Sequence, residues 1–448
     1  MINKTELQLL QQALEKLEQG YSHLPAFTPA FDTGAASEVL QQVAERMQDN
    51  YPYYHPQYAG QMLKPPHPIA RIAYALSLWV NPNNHALDGG RASSAMEKEC
   101  VRDIGVVFGW DEHLGHLTGG GTMANLEALW VASRLHPGKK VIASEQAHYT
   151  HGRISEVLGI PFSAVEVTSD GRMDISEIES QLRNGDVGTV VATMGTTGLG
   201  AVDPLTDIVA LQERYDFRIH ADAAYGGYFS LASRLGDDAR EAYDAMSVVD
   251  SIVLDPHKHG LQPYGCGCIL FRDPSVGRFY KHGSPYTYFS SAELHLGEIS
   301  LECSRPGASA VALWATQQLL PLERDGEFAG QLDDCLLAAR EFAGRLQQTR
   351  DFFPLLTPEL DIVVYAMDAP DTSAASQRAR DLFARAADNE LHLALIELPT
   401  RMLHDAAPGI RINSDTVTCL RSVFMKPEHR DWLEQIVSML ESSAREIG

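Results

Sequence analysis

Four short stretches hold residue types whose spacing could support chemistry at one place. The first is Gly115-His-Leu-Thr-Gly-Gly-Gly-Thr-Met-Ala-Asn-Leu126, in which three consecutive glycines run into a helix with Thr122 as its natural N-cap. Glycines let backbone N–H groups turn toward one point, and a helix start adds partial positive charge, so this stretch could cradle a phosphate. It matches neither a Walker loop nor G-x-G-x-x-G, and a plain tight turn before a helix is the other reading. The second is Ser251-Ile-Val-Leu-Asp-Pro-His-Lys-His259, a β-rich run that delivers Lys258 to a strand end ahead of another apolar strand. A lysine held partly out of water has a lowered pKa and can form a Schiff base. His257 and His259 offer only two imidazoles with no further ligand in reach, so no metal site is expected.

The third stretch, His220-Ala-Asp-Ala-Ala-Tyr-Gly-Gly-Tyr228, ends a buried strand with Asp222, whose carboxylate needs a cationic partner there. Ala223, Ala224, Gly226 and Gly227 leave room for a flat group; capping of the next helix is the simpler role for the aspartate. The fourth, Ser144-Glu-Gln-Ala-His148, is a strand that runs out into a histidine.

These residues must be positioned by a larger frame. From about 100 to 275, short apolar runs (Lys140–Ser144, Val187–Met194, Arg218–Ala221, Ser251–Leu254, Cys266–Phe271) alternate with helical segments such as Thr122–His136 and Leu205–Tyr215. That alternation predicts a mostly parallel sheet covered on both faces, with chemistry at the carboxyl ends of its strands. After about 325 a long helix (Gly326–Leu346), a strand (Asp361–Met367), a helix (Ala374–Asn389) and further strands predict a smaller α+β domain. Its closing helix docks through Leu433, Ile436, Val437 and Leu440. Near the amino terminus Leu7, Leu10, Leu14 and Leu17 recur at helical spacing, and that stripe should bury against the core or a second subunit. Residues 50 to 68 read as an irregular connector. The division expected is 1–75 for a helical and irregular segment, 76–325 for the large domain and 326–448 for the small one.

The 448 residues carry a net charge of −23, which argues against nucleic acid or an anionic membrane surface as partner. The early apolar stretch Ile69 to Val80 is too short to span a bilayer and contains Arg71, and the first residues have no signal-peptide core. Six cysteines without zinc-type pairing suit a reducing, cytoplasmic setting.

Taken in order, glycine cradle, histidine, aspartate and lysine, with Lys258 lying 36 residues after Asp222, resemble the pyridoxal-phosphate enzymes of the aspartate aminotransferase fold, and more narrowly the group II amino-acid decarboxylases. The matching stretches are Leu117–Leu126, Ala147-His148, Met194-Gly-Thr-Thr197, His220–Tyr225 and Asp255-Pro-His-Lys258, with weaker similarity at Asn81–Asn84, Ser304–Gly307, Leu420-Arg421 and Met425–Pro427. The resemblance covers roughly residues 50 to 430. It implies an α/β, aspartate aminotransferase-like fold and an enzyme, a carboxy-lyase with pyridoxal 5'-phosphate as cofactor. It also implies roles: Lys258 holds the cofactor, Asp222 pairs with the pyridine nitrogen, His148 stacks on one ring face and Ala224 packs the other. Gly121, Thr122 and His257 hold the phosphate, and Thr197 and Asp255 complete the cofactor set. Asp255 stands where relatives carry asparagine, serine or aspartate.

In such decarboxylases a loop tyrosine reprotonates Cα, and a phenylalanine there redirects some relatives to aldehyde formation. Tyr286 and Tyr288 share that role here. Asn84 and Arg421 are candidate substrate contacts. Ala86 occupies the place where glutamate decarboxylases put an aspartate, so aromatic L-amino acids rank ahead of acidic ones. The expected protein is a homodimer acting on a small-molecule amino-acid substrate. Carbon–carbon lysis or decarboxylation-linked aldehyde synthesis on the same scaffold, or a non-catalytic cofactor-binding protein, are the alternatives.

Overall fold

The computed structural model describes residues 3–28, 30–281, 294–403, 407 and 409–447. Its apolar runs form two sheets. The larger contains β1 (Leu114–Thr118), β2 (Lys140–Ser144), β3 (Phe162–Val165), β4 (Val187–Thr193), β5 (Arg218–Asp222), β6 (Ser251–Leu254) and β7 (Gly267–Phe271). They lie side by side in the order β1-β7-β6-β5-β4-β2-β3. Strands β3, β2, β4, β5 and β6 are parallel, and only β7 runs against both its neighbours, β6 and β1. All of β4, β6 and β7 is buried, as strands covered on both faces require.

Two strands lack a legible signal. β1 contains Gly115 and His116, and β3 is a four-residue strand at the sheet edge with partly exposed side chains. The smaller sheet is antiparallel throughout: β8 (Phe352–Pro354), β9 (Ile362–Met367), β10 (Ala394–Pro399) and β11 (Thr416–Val423), in the order β10-β11-β9-β8. The helices Glu327–Leu346, Thr372–Asp388 and His429–Ile447 cover it, and the last buries Leu433, Ile436, Val437 and Leu440.

At the amino terminus the apolar stripe does not enter the chain's own core. Helix α1 (Lys4–Gly20) forms, capped by Asn3, but it buries no residue and leaves Leu7 61% exposed. It rests on α3 (Pro68–Ser77), to which the Glu6–Arg71 pair ties it at 2.8 Å. The helix between them, α2 (Thr33–Met47), also buries nothing and exposes Val39, Leu40, Val43 and Met47. A stripe of leucines specifies a face to be covered without saying what covers it. Among the described residues, no helix is long and apolar enough to cross a membrane.

Candidate active site

The carboxyl ends of β4, β5 and β6 lie in register: Thr193 pairs with Asp222, and Asp222 with Val253. The loops leaving these strands are therefore delivered to one rim. There a cavity of about 570 Å³ is lined by the glycines 119–121, Thr122, His148, Thr197, Asp222, Ala224, Asp255, His257 and Lys258. Every cofactor residue expected from the sequence borders that single cavity. Its size suits a small-molecule site.

The glycine cradle differs from expectation in one respect. Thr122 does not cap the helix α5 (Gly121–Leu135); the N-cap is Gly120, with φ of 149°, and no side chain bonds to the first turn. Gly120 adopts a backbone conformation closed to larger residues. A Cβ on Gly267 of β7 would stand 2.5 Å from the Gly120 carbonyl carbon, so the chain is compressed from behind as well. An uncapped helix start facing a cavity leaves its N–H groups free for an anion.

Asp222 is 4% exposed. Its Oδ2 accepts from His151 Nε2 at 2.8 Å and from Asn125 Nδ2 at 3.3 Å, and its Oδ1 accepts from the Ala224 amide at 3.1 Å. Because Asn125 donates to Asp222, its Oδ1 is left to accept from His220 Nε2 at 2.8 Å, and Ser251 then donates to His220 Nδ1 at 2.8 Å. Burial pushes His220 down to about 3, so this ring is neutral. Burial alone would raise Asp222, but the His151 hydrogen bond, with the charges of His151 and Lys258, holds it well below the ordinary carboxylate range. The result is a fixed anion at the floor of the cavity.

Lys258 Nζ lies 3.1 Å from Asp255 Oδ2. The two flanking histidines diverge: His257 donates through Nδ1 to the Cys266 carbonyl at 2.8 Å, whereas buried His259 lies 3.2 Å from Asp361 Oδ2. They do not form a ligand pair, and among the described residues no group of three metal-ligating side chains occurs. Tyr225, which follows the Asp222 loop, donates to Asp361 Oδ1 at 2.6 Å. One carboxylate at the start of β9 thus contacts both cofactor-facing loops. His148 has its Nδ1 2.8 Å from Thr150 Oγ1 and its ring 4.5 Å from that of Tyr149, and burial holds it below the ordinary imidazole value.

The substrate candidates fare differently. Asn84 is fully buried away from this cavity, donating to Glu97 at 2.6 Å and accepting from Ser93 at 2.5 Å, so its amide is committed to structure. Arg421 lies on β11, 4% exposed and outside the lining of this cavity; its Nη1 donates to Gln61 at 3.2 Å, while Nε and Nη2 have no partner among the described residues. Tyr286 and Tyr288 lie outside the described residues. Sequence reasoning missed Asn125 and His151. Asn125 stands on the buried side of α5, and His151 lies three residues beyond His148 with nothing in its spacing to mark it.

A family model described as the pyridoxal-dependent decarboxylase conserved domain matches residues 122–368. An L-tyrosine decarboxylase of Enterococcus faecium is 27% identical, over 78% of this chain and 75% of its own length. An L-aspartate decarboxylase of Thermococcus kodakarensis is 28% identical, over 78% of this chain and 89% of its own. Among solved structures, mouse CSAD in its apo form superposes with a TM-score of 0.80 at 21% identity, covering 99% of this chain and 93% of that one. Oryza sativa TDC with PLP and tryptamine gives 0.80 at 15% identity, covering 100% and 99%; at such identities the likeness bears on the fold.

Proposed function

This chain belongs to the pyridoxal-dependent decarboxylase family, and on that footing we propose how its residues divide the work of an amino-acid decarboxylase that uses pyridoxal phosphate. When bound, the cofactor supplies an electron sink for the pair left at Cα as carbon dioxide departs. The group requires an amine for its aldehyde, a buried anion for its ring nitrogen, N–H donors for its phosphate and a slot for a flat ring. Lys258, Asp222, the uncapped start of α5 and the small side chain of Ala224 meet those four needs around one cavity. That convergence is the observation that carries the reading.

Lys258 carries the cofactor through its amine. Asp222, held as an anion by His151 and Asn125, keeps a proton on the ring nitrogen. His148 covers one ring face and Ala224 the other. Gly121, Thr122 and His257 hold the phosphate, beside Thr197 and Asp255. Arg421, whose Nε and Nη2 have no partner among the described residues although it lies outside the cavity's lining, is assigned to the substrate's α-carboxylate. Tyr286 or Tyr288 returns the proton to Cα.

The substrate we propose is an aromatic L-amino acid. Among the described lining residues Lys258 is the only lysine or arginine, so a second, distal carboxylate finds no free cation, while Met123, Leu126 and Tyr264 offer apolar surface. The L-tyrosine decarboxylase likeness agrees with this, although L-aspartate decarboxylases are equally similar. The assembly we propose is a homodimer, supported by the exposed apolar side chains of α2 (Val39, Leu40, Val43 and Met47), with Leu7 and Leu9 of α1 and Leu24, Phe27 and Phe31 of the connecting segment. The free cysteines, five of six buried, suit a cytoplasmic setting. We retain the division at residue 325, supported by a separate apolar core beneath the smaller sheet, whereas a boundary at residue 75 would cut α3.

The test is incubation of the cofactor-loaded protein with each of the twenty amino acids, with products read by mass spectrometry. An aromatic amine is the expected product. Aldehyde as the sole product, or turnover of aspartate alone, would overturn the reaction or the substrate respectively.

A further inference from the structure

Asp255 follows β6 directly and turns back over the first turn of α5. A methyl group added to Gly121 would stand 2.7 Å from Asp255 Oδ2, so the carboxylate already leans on the glycine cradle. Oδ2 faces Lys258 Nζ at 3.1 Å and His257 Nε2 at 3.6 Å. Oδ1 is buried without a hydrogen-bond partner among the described residues, on a side chain that is 3% exposed as a residue. A buried acceptor left unmatched beside free N–H groups is unusual and calls for a reason.

The groups facing it narrow that reason. From the neighbouring elements come His148, Tyr228, Tyr264, Cys266 and Cys268. Burial lowers His148, raises both thiols and Tyr228, and pushes Tyr264 up to about 12, so all five are neutral near neutral pH. Asp222 on the same cavity and Glu302, which accepts from the Gly119 amide at 2.9 Å, add negative charge, so only Lys258 and His257 remain to offset a charge on Asp255. Lys258 is the amine that the cofactor engages, so its partnership with Asp255 weakens as a phosphate anion reaches the same cradle. Two anions then share one buried site, a situation in which one of them takes a proton. An asparagine there would serve a phosphate without any such proton.

We propose that the Asp255 carboxylate and the cofactor's phosphate together take up one proton when the phosphate enters the glycine cradle, the proton joining the two anions in a hydrogen bond, so that cofactor affinity falls as pH rises. This rests on the cofactor reading above. One proton moves from solvent to the carboxylate–phosphate pair, and no covalent bond is involved. The sign follows from linkage: a bound pair that holds one more proton than the free carboxylate and phosphate dianion loses affinity above the free phosphate's second pKa of about 6, by up to about tenfold per pH unit.

The experiment titrates apoprotein with pyridoxal phosphate between pH 6 and 9, following cofactor absorbance, for the parent and Asp255→Asn. Calorimetry in buffers of different ionisation enthalpy counts the protons. The parent's dissociation constant should climb relative to the variant's as pH rises, with about one more proton taken up. Pyridoxal, which lacks the phosphate, should show no such difference. Equal proton uptake and parallel pH profiles in the two proteins would overturn the proposal. If Asp255→Asn misfolds, buffer-dependent calorimetry on the parent alone, pyridoxal phosphate against pyridoxal, still decides: equal proton uptake overturns it. Failure of the folded parent to bind pyridoxal phosphate at any pH would instead refute the cofactor reading.

Discussion

His151 stands 71 residues before Asp222 in the chain, yet its Nε2 lies 2.8 Å from the carboxylate Oδ2 at the floor of the cavity. Both side chains are almost wholly buried, so this contact rather than solvent sets the charge of Asp222. Replacing His151 by Phe keeps the ring volume and removes the donor. Losing a buried partner should cost about 1–3 kcal/mol in urea unfolding. Asp222 is depressed in the folded protein, so its charge is present above the ordinary carboxylate range and is lost as pH falls. Without His151 that loss should come earlier, moving the acid limb of the turnover profile up by about one pH unit or more. An unmoved acid limb would show that His151 does not act through Asp222.

Two glycines predict opposite signs. A Cβ on Gly226 would run into the Met194 carbonyl oxygen and the Tyr243 hydroxyl, the first of which is backbone and cannot turn aside. Gly226→Ala should destabilise by about 3 kcal/mol or more. Gly330, inside the helix Glu327–Leu346, has open space at the same position, and Gly330→Ala should stabilise by up to about 1 kcal/mol. Thermal melts of the pair check both; a melting point lowered by Gly330→Ala would contradict the geometry.

His429 is buried against Phe424 and the Tyr58 carbonyl, and burial pushes it down to about 3. Between the ordinary imidazole value near 6.5 and that lower one, the unfolded chain holds a proton that the folded chain refuses. Stability therefore falls as pH drops through this window, by up to roughly 1.4 kcal/mol per unit. His429→Leu should flatten the slope by that amount in urea titrations at about pH 7, 6 and 5. Parallel slopes for variant and parent would remove His429 from the account.

If Tyr286 or Tyr288 reprotonates Cα, its replacement by Phe removes one hydroxyl. The rate of amine formation should fall about 10²–10⁴-fold, with aldehyde rising as oxygen takes the longer-lived carbanion. Both variants giving only amine at the parent rate would require another acid, His148 first.

The elements legible in the sequence share a physical reason. Lys140–Ser144 and Ser251–Leu254 are strands at the expected residues because covered parallel strands are continuous apolar runs. Asp222 and Lys258 stood out because a charge at the end of such a run must be offset by a partner or serve a task. Contacts remote in the chain were not legible. His151, Asn125 and His220 meet around Asp222 across separations of 71 to 97 residues, and no local pattern encodes that. Asn84 sat in a matching segment, but its amide serves Glu97 and Ser93. Thr122 has the residue type of a cap, while the geometry of three glycines starts the helix two residues sooner.

The central claim is that Lys258 carries the cofactor, and its most direct measurement is borohydride reduction of the loaded protein followed by peptide mapping. The cofactor mass should be fixed on the peptide containing Lys258. Lys258→Ala should lose both labelling and turnover while retaining the parent's circular dichroism. A label on any other lysine, with Lys258 unmodified, would contradict the account.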